Sequence, residues 1–340
     1  MTRLDRLRAC GHTAVDGSGV MVRMTPGSSG SSCRAGFAGL ATCGSVWACP
    51  VCAAKVAAER AGELGAVLTA AGEAGHQVAM VTLTVRHRQG QSLRQVWGAV
   101  TKGWSRVTSG KAWRSDQRRY GVQGWARAVE VTHGASGWHV HVHAVMVYDG
   151  TDYDAHALGA SMWSRWSAGI EKAGFDAVAG SGGLDVQVSR GGDMGALGRY
   201  LAKQGADLAS EATMGAFKQA KGKNRTPFQI ARAFLDTGDM ADLDLWHEWE
   251  RVSRGRRQLT WSKGMRDLAD LGEERSDEDI AAEETGTADD DVLLLPGDTW
   301  RAVRSEAWRV LDLVEASGRE GLVAWLDAEG LAWLDPPTRP

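Results

Sequence analysis

The chain has 340 residues and a 43% hydrophobic fraction, enough for two or three soluble domains. No apolar run approaches the roughly eighteen residues of a membrane span, and the charged start Met1-Thr2-Arg3-Leu4-Asp5-Arg6 is followed by no apolar core, so a cytoplasmic protein without a signal peptide or membrane contact is expected. The net charge of −3 hides an asymmetry: residues 276–340 hold 5 Lys/Arg and 16 Asp/Glu, whereas the rest hold 34 and 26. A basic body with an acidic tail is the pattern of a nucleic-acid-binding core with a separate appendage.

All five cysteines fall within the first 52 residues. A disulfide framework does not suit a cytoplasmic chain. Cys49-Pro50-Val51-Cys52 is a C-x-x-C knuckle, and with Cys43 it supplies three thiolates for a tetrahedral, structural Zn²⁺ site. The fourth ligand is Cys10 or Cys33, with His12 a more distant choice; Cys10 is preferred because its Cys-Gly turn would pin the N-terminus to the knuckle. A thioredoxin-like redox pair is the competing reading, and it would place the C-x-x-C at a strand-to-helix junction.

Residues 53–75 read as a helix ending at Gly75, and Val78 to Val85 as a β-branched strand. From Ser92 to about Tyr120 the spacing of Val96, Val100, Trp104 and Val107 predicts a helix with an apolar core face. Two strands follow, near 123–133 and 138–148, joined by the turn Gly134-Ala135-Ser136-Gly137. The second opens His139-Val140-His141-Val142-His143. Strict alternation puts the three imidazoles on one face. If His133 pairs with Trp138, Glu130 lies opposite His141 on that same face, while a slip of one residue would turn it away. Two or three imidazoles and a carboxylate make a mixed N/O site with open positions, suited to Mg²⁺ or Mn²⁺ bound together with a phosphate.

A helix near 154–174, a short strand Leu184–Val188 and a helix over about 193–209 come next. The order of elements predicts an α+β fold on a central antiparallel sheet flanked by helices, ferredoxin-like in broad layout. On the last helix Tyr200 and Lys203 share a face at i, i+3. A tyrosine can attack phosphorus as a covalent nucleophile, but its free pKa near 10 requires activation by a metal or a nearby cation.

Residues 215–266 read as helical and basic, with Lys218, Lys221, Lys223, Arg225, Arg256, Arg257 and Lys263 beside Trp246, Trp249 and Trp261. That mixture suits phosphate contact with base stacking. The acidic stretch 273–291 reads as a disordered linker, and the tryptophans and leucines after 298 as a small helical appendage. The expected organisation is a zinc segment and helix (1–75), an α+β core (76–210), a basic helical DNA-binding extension (211–272), an acidic linker (273–297) and the appendage (298–340).

In this order the motifs resemble those of plasmid rolling-circle replication initiators, in the HUH endonuclease superfamily. Val81-Thr82-Leu83-Thr84 is similar to the family's first motif. His141-Val142-His143 is similar to its metal motif, and Tyr200 with Lys203 to its tyrosine–x–x–lysine motif. The Cys-rich segment and Arg256-Arg257-Gln258-Leu259-Thr260-Trp261-Ser262 also resemble members, so the likeness covers roughly residues 8–266.

The resemblance implies an HUH core that nicks one strand of the double-strand origin. Tyr200 would be the nucleophile and Lys203 its helper. His141 and His143 would hold the ion, with Glu130 or His139 as third ligand. The products would be a 5′-phosphotyrosine and a 3′-OH primer, and a host helicase and polymerase would be partners. The chain departs from the family where related initiators carry a glutamate one turn before the tyrosine: here stand Ala196 and Leu197, with Asp193 two turns back. Relaxases tend to place the tyrosine before the histidines, and small transposases tend to lack the zinc segment. A zinc-stabilised DNA-binding protein without catalysis would need neither the tyrosine nor the histidine face.

Overall fold

In the computed structural model, residues 2–15, 17, 19–26, 33–188, 224–284 and 286–337 are described. In chain order they form α1 (Asp5–Ala9), β1 (Val20–Thr25), β2 (Arg34–Ala38), α2 (Pro50–Glu73), β3 (Gln77–Thr84), α3 (Leu93–Val107), α4 (Gly110–Arg119), β4 (Gly124–Gly134) and β5 (Gly137–Tyr148). Then come α5 (Asp152–Lys172), β6 (Leu184–Val188), α6 (Pro227–Thr237), α7 (Met240–Ser253), β7 (Leu259–Trp261), α8 (Asp277–Ala282), β8 (Asp291–Leu295), α9 (Gly297–Val303) and α10 (Ala307–Ala328). The expected helix at 193–209 lies outside the described residues, and so do Tyr200, Lys203, Lys218, Lys221 and Lys223.

The chain divides into two units, residues 45–276 and residues 2–44 with 277–340. Both carry antiparallel sheet and helix, so the α+β class holds. In the larger unit the sheet order is β6-β3-β5-β4-β7. β5 is therefore central, with two strands on either side. Its first half alternates half-buried histidines with buried valines, and from His143 onward every residue is buried. Packing explains the change. Leu64, Val67, Leu68 and Ala71 of α2 cluster with Val78, Ala126, Ala128, Val145 and Val147. By the period of two, these strand residues lie on the same face as His141 and His143. α2 thus covers the far half of that face and leaves the histidine half to the site.

α3 contacts β5, and α5 contacts β3 and β6, on the opposite face. The two helices cross at glycines: a Cβ on Gly103 would come within 2.9 Å of the Trp166 ring, and one on Gly169 within 3.0 Å of the Gly103 Cα. The single helix expected from Ser92 to Tyr120 is two. It ends at Val107 and restarts after Ser109, with Gly110 at φ +78°. That is a left-handed conformation glycine adopts without steric cost.

Two further expectations are corrected. Leu259–Trp261 is not helical but an edge strand paired with Ala126–Ala128. The acidic stretch after 273 is not a linker. α8 and β8 belong to the smaller unit, whose sheet order is β2-β1-β8. Asp291 lies 2.6 Å and Glu284 2.9 Å from the buried guanidinium of Arg23. Val20, Val22, Leu293 and Leu295 build one core with Trp300, Val310, Val314, Leu322 and Leu326. The residues after 298 therefore complete the same unit as the N-terminus and are no separate appendage. No helix among the described residues is long and apolar enough to cross a membrane.

Candidate metal centre and cysteine pairs

The β4–β5 hairpin pairs Gly134 with Gly137, His133 with Trp138 and Glu130 with His141. Glu130 thus stands on the histidine face, where the unslipped register puts it. His141 Nε2 and His143 Nε2 are 2.9 Å apart, and Glu130 Oε2 lies 3.2 Å from the first and 3.1 Å from the second. Donors bound about 2.1 Å from an octahedral ion are separated by about 3.0 Å along each edge. The three atoms therefore match one triangular face of such a shell, with the remaining positions open to water or a phosphate oxygen.

Burial raises the Glu130 carboxyl pKa, but hydrogen bonds from His141 and His143 and their positive charge outweigh it and hold the group well below the usual carboxylate range. Glu130 therefore stays ionised and supplies a full negative charge. Behind the site, Thr82 on β3 pairs with His143, and its hydroxyl lies 3.1 Å from His143 Nδ1. With Nε2 turned to an ion, the proton sits on Nδ1 and is donated to Thr82, which fixes the ring.

His139 is not part of this triangle. It lies opposite Thr132, and its Nδ1 is 3.4 Å from Nδ1 of His87. Burial, then the charges of His141 and His87, push its pKa down to about 4, against a raising contribution from Glu130. Of the two choices for third donor, Glu130 is the one whose oxygen meets both imidazoles. No local sequence pattern gives Thr82 a role, because the pairing of β3 with β5 is non-local, and His87 is an isolated histidine that carries no pattern.

Cys49 caps α2, Pro50 opens its first turn and Cys52 follows within that turn. The Cys49 and Cys52 sulfurs of the larger unit lie within 4.8 Å of each other, as do those of Cys10 and Cys43 in the smaller one. Five residues of chain separate Cys43 from Cys49. Cys33 is exposed. No strand runs directly into the knuckle, since β2 ends at Ala38 and a loop follows. A redox C-x-x-C at a strand-to-helix junction is not what the fold contains.

The basic candidates are scattered. Arg225 pairs with Asp242 at 2.7 Å and Arg257 with Glu274 at 3.1 Å. Arg256 lies 4.7 Å over the ring of Trp97, and Lys263 is exposed. Trp246 and Trp249 are buried to 2% and 1% exposure, so they are core residues and not stacking platforms.

Residues 38–167, which include Cys43, the knuckle and the whole histidine hairpin, match the family model described as replication protein. A "Protein rep" of Streptomyces lividans is 29% identical over 370 aligned residues, covering 89% of this chain and 79% of that protein. A "Neomycin resistance protein" of Streptomyces cyanogenus is 31% identical over 137 residues, 33% of this chain and 31% of that protein. No solved structure matches. The histidine strand thus lies inside the segment that matches the replication-protein model, and the likeness to the Streptomyces lividans protein is carried along most of this chain.

Proposed function

We propose that this replication initiator nicks one strand of a plasmid double-strand origin and starts rolling-circle replication from the freed 3′-OH. The observation that carries the reading is the triangle of Glu130, His141 and His143, with edges of 2.9 to 3.2 Å, inside the family-matched segment. A bound Mg²⁺ or Mn²⁺ would draw charge from the scissile phosphate there.

The Tyr200 oxygen attacks phosphorus, the P–O3′ bond breaks, and the 5′ end is held as phosphotyrosine. The departing O3′ takes up a proton. Lys203, three residues on in the sequence, offsets charge at the phosphate. Both residues lie in the stretch joining β6, on one flank of β5, to Arg225, whose backbone bonds His133 on the other flank. The four cysteines hold a structural zinc, and the DNA partner is single-stranded at the nick.

The test is a denaturing-gel adduct assay with single-stranded oligonucleotides tiling the origin, with or without Mn²⁺. A protein-linked band that needs Mn²⁺ and is absent in Tyr200→Phe is expected, while Tyr200→Phe still binds DNA. Tight binding with no adduct in the wild type would leave a non-catalytic DNA-binding protein.

Thr82→Val removes the hydroxyl that steadies His143 at nearly constant volume. It should weaken Mn²⁺ binding about 10- to 100-fold, as loss of such a supporting partner does. Titration calorimetry with Mn²⁺ checks this; unchanged affinity would mean that Thr82 plays no such part.

A further inference from the structure

The outer face of α3 and α4 carries charge that the metal centre does not use. Between Leu93 and Arg119 stand seven Lys and Arg residues and one acid, Asp116. Asp116 is buried and lies 2.7 Å from Arg165, so it does not neutralise the surface. Arg94, Lys102 and Arg106 follow one strip of α3 at multiples of four residues, and Lys111, Arg114 and Arg118 a strip of α4. All six are exposed, and none has an ion-pair partner among the described residues. The seventh, Arg119, belongs to other neighbours, the Tyr120 ring and Asp154.

Folding does not require this face. α3 is held by its other side, where Leu93, Val96, Val100 and Val107 are fully buried. A helix face that is merely solvated mixes signs, because Glu–Lys pairs four residues apart stabilise it and like charges repel. Here the repulsion is retained. Beside the α3 strip runs a groove of about 410 Å³ between Gln91, Arg94 and Lys102 on one side and Phe175 on the other. Gly98 lines it, and a Cβ at Gly98 would meet nothing within 4 Å. Arg256 adds to the crowding: burial, then the charge of Arg94, lower its pKa.

We propose that the α3–α4 face and the groove beside it bind the sugar-phosphate backbone of DNA, on the side of the sheet away from the metal centre. Positions four residues apart on a helix stand about 6 Å apart, and a DNA strand advances about 3.4 Å per nucleotide. Cations about 6 and 12 Å apart along the strip therefore stand about two and about four nucleotides apart along one strand, within reach of spaced phosphates. Contacts to phosphates carry no sequence information, so binding through these cations is sequence-independent. The inference rests on the replication reading only for the choice of DNA as the ligand.

The test is fluorescence anisotropy with a labelled duplex of arbitrary sequence and, separately, labelled oligothymidine, without added Mg²⁺ or Mn²⁺ so that no cutting intervenes. Three variants are compared with the wild-type chain: Arg94→Ala/Lys102→Ala, Lys111→Ala/Arg114→Ala/Arg118→Ala, and Gly98→Glu, which puts a carboxylate into the groove. Each should weaken binding while melting as the wild type does. The slope of log K against log salt should fall by about 0.9 per lost contact on duplex and about 0.7 on single strand. The arm with the larger change identifies which form of DNA lies on this face. Wild-type binding with unchanged slopes in all three variants overturns the inference and leaves the replication reading intact. No binding of either DNA by the wild type overturns both.

Discussion

Glu130→Gln and His141→Ala should each reduce nicking of a single-stranded origin oligonucleotide to near background. Glu130→Gln keeps size and shape but removes the one full negative charge from the donor triangle, and leaves an amide between His141 and His143. His141→Ala removes one of the two imidazole donors, which lies 3.2 Å from Glu130 and 2.9 Å from His143. A metal that polarises a phosphoryl oxygen stabilises the transition state by several kcal/mol. Each 1.36 kcal/mol is tenfold in rate, so losses of about 10³-fold are expected. Initial rates at saturating and limiting Mn²⁺ separate the two parts of the defect. A variant rescued by high Mn²⁺ has lost affinity, and one that is not has lost the geometry. Wild-type rates in both variants at limiting Mn²⁺ would remove Glu130 and His141 from the centre. His139→Ala is the informative companion: His139 turns to His87 and lies outside the triangle, so its loss should cost far less than that of His141.

The part of this site that was legible in the sequence is the part governed by local rules. Alternation fixed the shared face of His139, His141 and His143, and the glycine-bracketed turn marked the hairpin, but the register that brings Glu130 to His141 stayed conditional on the pairing of His133 with Trp138, which the structure shows. The choice between Glu130 and His139 needed coordinates, because residues two apart on a strand share a face without sharing a point. Thr82 is a further case: its place behind His143 comes from pairing across 61 residues, which no period in either segment records.

The same limit explains the acidic stretch. Its composition reads as solvated chain, yet the apolar run Val292-Leu293-Leu294-Leu295 finds β1 more than 260 residues away, and Arg23 collects Glu284 and Asp291. In the stretch 215–266 two of the interleaved tryptophans, Trp246 and Trp249, are core residues, which composition does not reveal. The exposed cations of α3 share their helix with an apolar stripe, which is the stronger signal in the sequence.

Removal of zinc should have the largest effect on stability. Cys10, Cys43, Cys49 and Cys52 have no disulfide to hold them, and buried thiols around a tight knuckle gain little by themselves. A zinc ion held by four thiolates contributes about 10–16 kcal/mol in small zinc modules. A whole domain is typically stable by only about 5–15 kcal/mol. Even a fraction of the zinc contribution is therefore large against that margin. Purified protein should carry zinc by elemental analysis, and a strong chelator should lower the melting temperature and expose the N-terminal segment to protease. Cys43→Ser, Cys49→Ser and Cys52→Ser should each lose the metal. Cys10→Ser and Cys33→Ser then settle the fourth ligand. The pairing of Cys10 with Cys43 within 4.8 Å and the exposure of Cys33 predict loss in the first and full zinc in the second. The opposite result would move the ligand to Cys33. Protein with no zinc in any preparation, and with a Cys49–Cys52 disulfide that forms and reduces reversibly, would restore the redox reading of the knuckle.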